Sequence, residues 1–181
     1  MQESEPKPRP VIEKPTLSDV ESYRTMQAQS WLDTYPNDEA GVSYDWVKAQ
    51  TDSWLTPDAL EHSRSKVDKI LHDTKHQFLY VAKVADKSVG MVHTTSIEGN
   101  QRLEALYVAK DYHGTSLAQD LISRAFAHLD LTKPVVLEVL SYNDRAQSFY
   151  KKNGFKVQPD SDHFYKEIMP SIKMIRLGDI V

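Results

Sequence analysis

The fold is decided by residues 103–155, which end in the sequence Asn143-Asp144-Arg145-Ala146-Gln147-Ser148-Phe149-Tyr150-Lys151-Lys152-Asn153-Gly154-Phe155. Ahead of that sequence the pattern predicts a strand, a turn of small residues, an amphipathic helix over 117–129 and an apolar strand over 135–140. This order implies a right-handed crossover and a parallel or splayed pair of strands. Asn143 and Gly154 then mark the two ends of a short helix.

The flanking sequence adds antiparallel strands to this unit. Residues 77–84 and 88–95 are β-rich runs joined by a short turn, and residues 102–108 continue the same meander as a third strand. Residues 155–158 and 172–177 predict a closing pair of strands. The central sheet is therefore expected to be mixed and mostly antiparallel.

The N-terminal part is predicted to be mainly helical after a first strand at Val11. Thr16 resembles a helix N-cap, and large side chains follow at spacings of three and four: Val20, Tyr23, Gln27, Trp31 and Tyr35. A short helix is expected around Trp46. Thr56 and Pro57 start a further helix that runs to about residue 73.

Composition narrows the class of protein. The chain has 181 residues, of which 40% are hydrophobic, and fits one domain over residues 11–181 after a proline-rich, charged tail over 1–10 that we expect to be disordered. The net charge is −4, whereas proteins that bind nucleic acid or an anionic membrane surface need a cluster of basic residues. Neither partner is therefore expected. Cysteine is absent, which excludes a thiolate nucleophile and disulfides, and we expect a cytoplasmic protein.

A strand turns into a helix at residues 107–118, through small residues that include Gly114 and Ser116. Unpaired amides and the helix dipole at such a turn favour a pyrophosphate; the alternative is a tight turn at Gly114 with Ala118 packed against the sheet. A Rossmann site fits poorly because its three spaced glycines are missing. A Walker A loop is excluded because no Gly-Lys-Ser or Gly-Lys-Thr occurs.

The segment that begins at Asn143 resembles the GNAT superfamily of N-acetyltransferases. The family pattern Asn-x-x-Ala-x-x-Phe-Tyr-x-x-x-Gly-Phe is matched by Asn143, Ala146, Phe149, Tyr150, Gly154 and Phe155. The family's pyrophosphate loop commonly reads Arg or Gln, two residues, Gly, one residue, Gly or Ala, and His113, Ser116 and Ala118 stand at those positions here. Because histidine replaces the usual Arg or Gln at position 113, we expect the loop to bind phosphate more weakly or in a pH-dependent way.

The resemblance implies a fold and a cofactor. The fold is α/β (α+β), with a twisted, mostly antiparallel sheet of about six to seven strands, about four flanking helices, and strands four and five splayed by a bulge. Acetyl-CoA is the implied co-substrate, and its pantetheine would pair with the backbone of Leu106, Tyr107 and Val108. The other implied cofactor-binding residues are His113, Gly114, Thr115, Ser116, Leu117, Ala118, Asn143, Ala146 and Tyr150.

The implied reaction is direct attack of an amine on the acetyl thioester in a ternary complex, without a covalent acyl-enzyme. The amides near Leu106 would hold the thioester oxygen as negative charge develops. Tyr150 matches the family tyrosine that protonates the departing thiolate. Its structural alternative is an aromatic side chain that, with Phe149, only pins the short helix to the sheet.

An amine that is protonated at neutral pH needs a route for its proton. Glu104 is our candidate for the catalytic base, although simple alternation puts it beside Leu106 and Val108, where it can equally be solvated. Glu138 and His93 are further candidates, with a structural ion pair and a packed histidine as their alternatives. A chain of water molecules is the remaining route.

Trp31 and Tyr35 are the predicted acceptor-binding residues. With Trp46 and Trp54 they form an aromatic group beside acidic residues, which suits a cationic amine; core packing of an amphipathic helix explains Trp31 equally well. The expected acceptor is a primary amine, either a small amine or a polyamine, and the alternative is a peptide α-amine or a protein lysine.

A non-catalytic acyl-CoA-binding domain is the competing class of function. The altered loop at His113 and Ser116 favours it, whereas Tyr150 favours turnover. No metal site is expected, because the histidines lack a ligand-like spacing. The oligomeric state stays open between monomer and homodimer.

Overall fold

The computed structural model describes residues 8–179, which form one eight-stranded sheet and five α-helices. The strands are β1 (Val11–Glu13), β2 (Gln77–Val84), β3 (Lys87–Ile97), β4 (Asn100–Val108), β5 (Val135–Leu140), β6 (Lys156–Val157), β7 (His163–Tyr165) and β8 (Met169–Arg176). The helices are α1 (Val20–Thr34), α2 (Tyr44–Ser53), α3 (Pro57–His72), α4 (Leu117–Phe126) and α5 (Asp144–Lys152). Among residues 8–179, no helix has both the length and the apolar character that crossing a membrane requires.

The strand order across the sheet is β1-β2-β3-β4-β5-β8-β6, and β7 also pairs with β8. All neighbouring strands are antiparallel except β4 and β5, which are parallel. This confirms the predicted mixed sheet with a parallel pair inside it. The strand count exceeds the prediction by β7, whose three residues are too few to give an alternating pattern in the sequence. The structure has five α-helices, one more than the roughly four that were predicted.

Two predictions concern the chain ends. Residues 1–7 of the predicted disordered tail, and residues 180–181 of the predicted domain, lie outside the described residues. Residues 8–10 have no regular secondary structure, and β1 follows them directly.

The central strands β4 and β5 separate halfway along their length. They pair only through residues 101–103 of β4 and 135–137 of β5. At the next residue β4 bulges: Thr94 of β3 faces Leu103 and His93 faces Ala105, so Glu104 has no residue opposite it. The extra residue bends β4, and the two strands enclose a cleft beyond Leu103.

The bulge also changes which side chains share a face of the sheet. Simple alternation predicted Leu103 on the face opposite to Leu106 and Val108, yet all three pack in the same core cluster. Ala105 and Tyr107 pack against the cluster on the other face. The prediction was wrong because the extra residue at the bulge shifts the period by one.

Each face of the sheet carries its own core. On the face covered by α4 and α5, Leu121, Ile122 and Phe155 are fully buried. On the face covered by α1 and α3, Val20 and Val67 are fully buried. The helices that bound the cleft are thus fixed to opposite faces of the sheet.

Replacing Leu121 by alanine should lower the free energy of unfolding by about 2 to 5 kcal/mol, because the truncation removes buried apolar surface and leaves a cavity. Urea unfolding followed by circular dichroism measures the change. The matched control is Leu177→Ala, since that leucine is 62% exposed and its loss should change stability by less than about 0.5 kcal/mol. Similar losses in the two variants would contradict the burial of Leu121.

Candidate active site

A cavity of about 950 Å³ occupies the cleft between the separated ends of β4 and β5. Residues 102–108 and 138–140 form its floor. One half, called here the α5 side, has two walls that face each other: the loop before α4 with the start of α4, and α5. The other, called the α1 side, consists of residues from the end of α1 together with Tyr165 and Met169.

The backbone of β4 has hydrogen-bonding groups directed into the cleft. The Ala109 N–H donates to the Val89 carbonyl at 2.9 Å. Hydrogen-bonded pairs alternate along antiparallel strands, so the next bonded pair is Tyr107 with Met91. The backbone groups of Leu106 and Val108 therefore point away from β3, toward the missing part of β5. Tyr107 was predicted to bind the cofactor through its backbone together with Leu106 and Val108. Its backbone groups instead bond to β3, where Tyr107 lies opposite Met91.

The turn before α4 presents a helix N-terminus to the α5 side of the cavity. Ser116 is the N-cap, and the Asp120 N–H is bonded to the Ser116 carbonyl at 2.9 Å. Amides ahead of Asp120 belong to the first turn, which leaves such groups without helical partners. Gly114 has a φ of +78°, a backbone conformation that suits glycine, and nothing lies within 4 Å of the space a Cβ would take. The turn is thus open to an anionic group.

His113 is held in one protonation state by its two neighbours. Its Nε2 lies 2.9 Å from the Val108 carbonyl, which only accepts, so Nε2 carries the hydrogen. Its Nδ1 meets the guanidinium of Arg145, which only donates, so Nδ1 is the acceptor. Partial burial and the Arg145 charge both lower the pKa of His113. The ring is therefore neutral at pH 7, which is the opposite of a phosphate-binding cation.

Tyr150 lies on α5 with its ring almost fully buried, 8% exposed, and lines the cavity. The helix starts as predicted, because Asn143 Oδ1 accepts from the Ala146 N–H at 3.1 Å. Burial raises the pKa of the Tyr150 hydroxyl well above its usual value. Among residues 8–179 this hydroxyl has no hydrogen-bond partner. It is a protonated donor that remains available to a ligand.

Three side chains on the α1 side meet at the hydroxyl of Tyr107. The Trp31 Nε1–H donates to this oxygen at 2.9 Å, and the Tyr35 hydroxyl approaches it at 3.5 Å. Burial raises the pKa of Tyr35 strongly, so its phenol also stays protonated. Trp31 and Tyr35, the predicted acceptor-binding residues, both line the cavity with Tyr107 between them.

The predicted aromatic group is only partly open to a ligand. Trp54 packs edge-on against Trp31 with ring centroids 4.6 Å apart, and the guanidinium carbon of Arg24 lies 4.8 Å from the centre of the Trp54 ring. The cation–π position on Trp54 is thus filled by the chain's own cation. Trp46 packs at the edge of the cluster around Trp31 rather than in the cavity lining.

Two of the candidate bases, Glu104 and Glu138, line the floor and share one arginine. Glu104 Oε1 accepts from the Thr95 hydroxyl at 2.8 Å and lies 3.4 Å from Arg102 Nε. Glu138 Oε1 lies 3.0 Å from Arg102 Nη2. Burial acts to raise the pKa of Glu138, but hydrogen bonds from Arg102 and His163 outweigh it and lower the pKa overall. The floor thus offers carboxylates of fixed orientation.

The third candidate, His93, lies apart from the cavity. Its Nε2 is buried without a hydrogen-bond partner, and burial lowers the pKa of His93 to about 4. It is absent from the lining of the cleft. The packed-histidine alternative fits these observations. Among the residues that the structure describes, no group of three or more His, Asp or Glu side chains is arranged to hold a metal ion.

The sheet has the splayed central strands, and the cleft between them, that the sequence motifs led us to expect of an acyltransferase. The acetyltransferase (GNAT) domain model matches residues 49–177. The chain therefore belongs to the GNAT family of acetyltransferases.

Similar proteins agree with this assignment. Over 158 residues the chain is 26% identical to the spermidine N(1)-acetyltransferase of Thermoplasma acidophilum, with 83% of this chain and 90% of that protein covered. The crystal structure of PaiA N-acetyltransferase from Thermoplasma acidophilum in complex with coenzyme A has a TM-score of 0.75 at 21% identity, over 93% of this chain and 98% of that one. A GNAT-family acetyltransferase from Streptococcus pneumoniae has a TM-score of 0.70 at 18% identity, covering 94% and 99%. These structures establish the shared fold.

Several cavity side chains were missed by the sequence reasoning. Arg145 lies inside the motif that identified the family, so its position at the cleft could have been found from the register of α5. Arg102 precedes Glu104 by two residues, and only the pairing of β4 with β5 brings it to Glu138. Tyr165 had no signal, because its position depends on the short strand β7.

Lowering the pH should destabilise the protein through His93. Its pKa falls from an ordinary 6.5 to about 4 on folding, so between these values the unfolded chain binds a proton that the native state does not. The contribution is present above about pH 6.5 and is lost as the pH falls toward about 4. His93→Gln should therefore reduce the difference in unfolding free energy between about pH 7 and about pH 4.5 by about 2 kcal/mol.

Urea unfolding of wild type and variant at the two pH values measures this difference. His72→Gln removes an exposed histidine and controls for the loss of an imidazole from the unfolded chain. A His93→Gln variant that keeps the wild-type pH dependence would exclude a buried neutral imidazole at this position.

Proposed function

We propose that the protein transfers an acetyl group from acetyl-CoA to the amine of a small molecule by direct attack in a ternary complex. The N–C bond forms as the C–S bond breaks, the amine loses a proton, and the sulfur of CoA gains one. One observation carries this proposal: a single cleft contains both the free strand edge at Leu106 and Val108 and the buried phenol of Tyr150.

The strand edge supports binding of the pantetheine arm. The Val108 carbonyl is occupied by His113, so the groups that remain are the N–H and C=O of Leu106 and the N–H of Val108. An extended amide-bearing arm can pair with these groups as an added strand would. The same N–H groups are suited to the thioester oxygen as charge develops on it. The open turn at Gly114 and Ser116 would then receive the pyrophosphate.

Tyr150 is proposed to act on the leaving sulfur. A thiol ordinarily has a pKa near 8.5, below that of a phenol, so a departing thiolate takes a hydrogen bond more readily than a full proton. Burial raises the pKa of Tyr150 further and keeps the donor in place. The phenol thus stabilises negative charge on sulfur by a hydrogen bond as the C–S bond breaks. The sulfur then takes up a proton from solvent, which balances the one that the amine releases.

Glu104 is proposed to take the proton from the amine. The bulge leaves this residue without a partner on β3 and at the floor of the cleft. The Thr95 hydroxyl and Arg102 fix one carboxylate oxygen, and about a third of the side chain is exposed. Glu138 is the alternative base, because it shares Arg102 and also lines the floor.

The closed end of the cavity supports a small acceptor over a peptide. Tyr165 lies with its ring centroid 6.2 Å from that of Trp31, so the strand β7 reaches across to α1. Lys166 Nζ donates to Gln50 Oε1 at 3.2 Å and joins the same region to α2. These contacts narrow this end of the cavity, whereas a groove open at both ends would favour a peptide. The likeness to a spermidine acetyltransferase also supports a small amine, at 26% identity.

Peptide or protein acetylation remains the alternative within this class, and an acyl-CoA-binding domain without turnover is the alternative outside it. Isothermal titration with acetyl-CoA, followed by a thiol-release screen over small amines, polyamines and peptides, distinguishes the three. Binding with turnover only on small amines supports the proposal. Turnover mainly on peptides moves the function to the first alternative, and binding without turnover on any acceptor moves it to the second. Absence of acetyl-CoA binding overturns the proposal.

Tyr150→Phe should lower kcat by about 10²- to 10⁴-fold, since it removes the hydrogen-bond donor to the sulfur while leaving the ring in its pocket. Acetyl-CoA affinity, measured by titration calorimetry, should change little. Tyr80→Phe is the matched control: Tyr80 is also a buried tyrosine, 7% exposed, but its hydroxyl is bonded to His128 outside the cleft. Equal rates in wild type and Tyr150→Phe would assign Tyr150 a packing role only.

Glu104→Gln should lower kcat/KM for the amine by about 10²-fold, because the amide keeps the shape of the side chain but cannot take up a proton. Acetyl-CoA binding should be retained. Glu138→Gln, tested in parallel, separates the two carboxylates. Activity lost in Glu138→Gln and kept in Glu104→Gln would transfer the role of base to Glu138, and full activity in both variants would leave the proton to water.

A further inference from the structure

The turn that precedes α4 carries no positive charge of its own. From Tyr112 to Ala118 the one ionisable cation is His113, and its ring is neutral, with Nε2–H committed to the Val108 carbonyl. At the start of α4 the Ser116 hydroxyl donates to a carboxylate oxygen of Asp120 at 2.9 Å, so a negative charge already lies at this helix N-terminus. Within residues 112–118, backbone amides alone would face the two charges of a pyrophosphate; Lys110 precedes this turn, and Lys152 of α5 also lines the cavity.

A cation reaches this turn from the opposite wall of the cleft. Arg145, in the first turn of α5, contacts His113 Nδ1 through one guanidinium nitrogen. Arg145 is exposed and lines the same cavity as His113, Gly114 and Thr115. A guanidinium has five N–H donors in a planar fork, so contact with the imidazole leaves others directed to solvent and ligand.

His113 acts on Arg145 as a fixed acceptor. Its ring is held by the Val108 carbonyl on one side, and this orients Nδ1 toward α5. A second side-chain contact joins the same two walls, because Gln119 Nε2 donates to Asn153 Oδ1 at 3.0 Å. Arg145 is thus held beside the turn, whereas a free arginine would sample many rotamers.

We propose that Arg145, positioned by His113, supplies the cation that binds the pyrophosphate of the acyl donor, in the role that a residue of the loop itself would otherwise have. This inference rests on the proposed use of acetyl-CoA. It assigns the charge to α5, across the cleft from the amides that bind the same group. His113 is a positioning residue, and Arg145 is the phosphate-binding one.

Titration calorimetry with three probes tests the assignment. CoA carries the pyrophosphate and a 3′-phosphate, dephospho-CoA carries only the pyrophosphate, and pantetheine carries neither. Arg145→Gln should weaken both CoA and dephospho-CoA by about 10- to 100-fold, the usual effect of losing a charge-assisted hydrogen bond. Pantetheine affinity should change by less than about twofold. Lys151→Gln removes a positive charge from the same helix outside the cavity and controls for the general field.

Three outcomes overturn the assignment. In the first, dephospho-CoA affinity in Arg145→Gln stays within about twofold of wild type while CoA affinity falls, which would make the 3′-phosphate the partner. In the second, Lys151→Gln matches the loss in Arg145→Gln, which would reduce the effect to net charge. In the third, Arg145→Gln binds all three probes as wild type does. Wild-type protein that binds no CoA at all is a different failure, since it removes the proposed function itself.

A double-mutant cycle tests the part assigned to His113. His113→Phe removes both ring nitrogens and should weaken dephospho-CoA in the wild-type background by about 3- to 10-fold. In the Arg145→Gln background the same change should cost less than about twofold, because the residue it positions is gone. Equal losses in the two backgrounds would mean that His113 acts independently of Arg145.

Discussion

Beyond Leu103 the backbone groups of Leu106 and Val108 face a space where a neighbouring strand would normally lie. Backbone amides and carbonyls without partners are costly when they are shielded from water, so such an edge is either covered or used. Here the bulge at Glu104 bends β4 away from β5, while β4 stays paired with β3 on both sides of the bulge. The start of the cleft beyond Leu103 and the unpaired position of Glu104 at its floor both coincide with that one extra residue.

The proposed role of Arg145 illustrates how a site would keep its chemistry when its motif changes. The loop lacks the Arg or Gln of the family pattern at His113, and the same imidazole now links the free β4 edge to Arg145. What phosphate requires is a positive charge at a certain place, and the chain segment that supplies it is free to differ. A motif defined along one loop cannot represent a contribution from the opposite wall.

Sequence patterns predicted the elements well because their signals are local. The period of α4, the N-caps of α3 and α5, and the apolar run of β5 depend on residues close in the chain. The pattern failed where a single residue alters the period, as at Glu104, and where an element is too short to have one, as at β7. The charge partners of Glu104 and Glu138 also escaped prediction, because Arg102 bridges two strands and its role depends on their register.

On the floor of the cavity and around its α1 side, the side chains that would attract a cation already have partners within the protein. Arg24 covers Trp54, and Arg102 lies between Glu104 and Glu138. Under the proposed function, an amine that enters this half would gain little from net charge, because each carboxylate would exchange one cation for another at similar energy. Selectivity would then depend on shape and on hydrogen bonds with the phenols of Tyr35 and Tyr107, whose hydroxyls lie 3.5 Å apart beside Trp31. Shielded donors discriminate strongly against acceptors that leave them unpaired, so this half of the cleft can be specific without being highly charged.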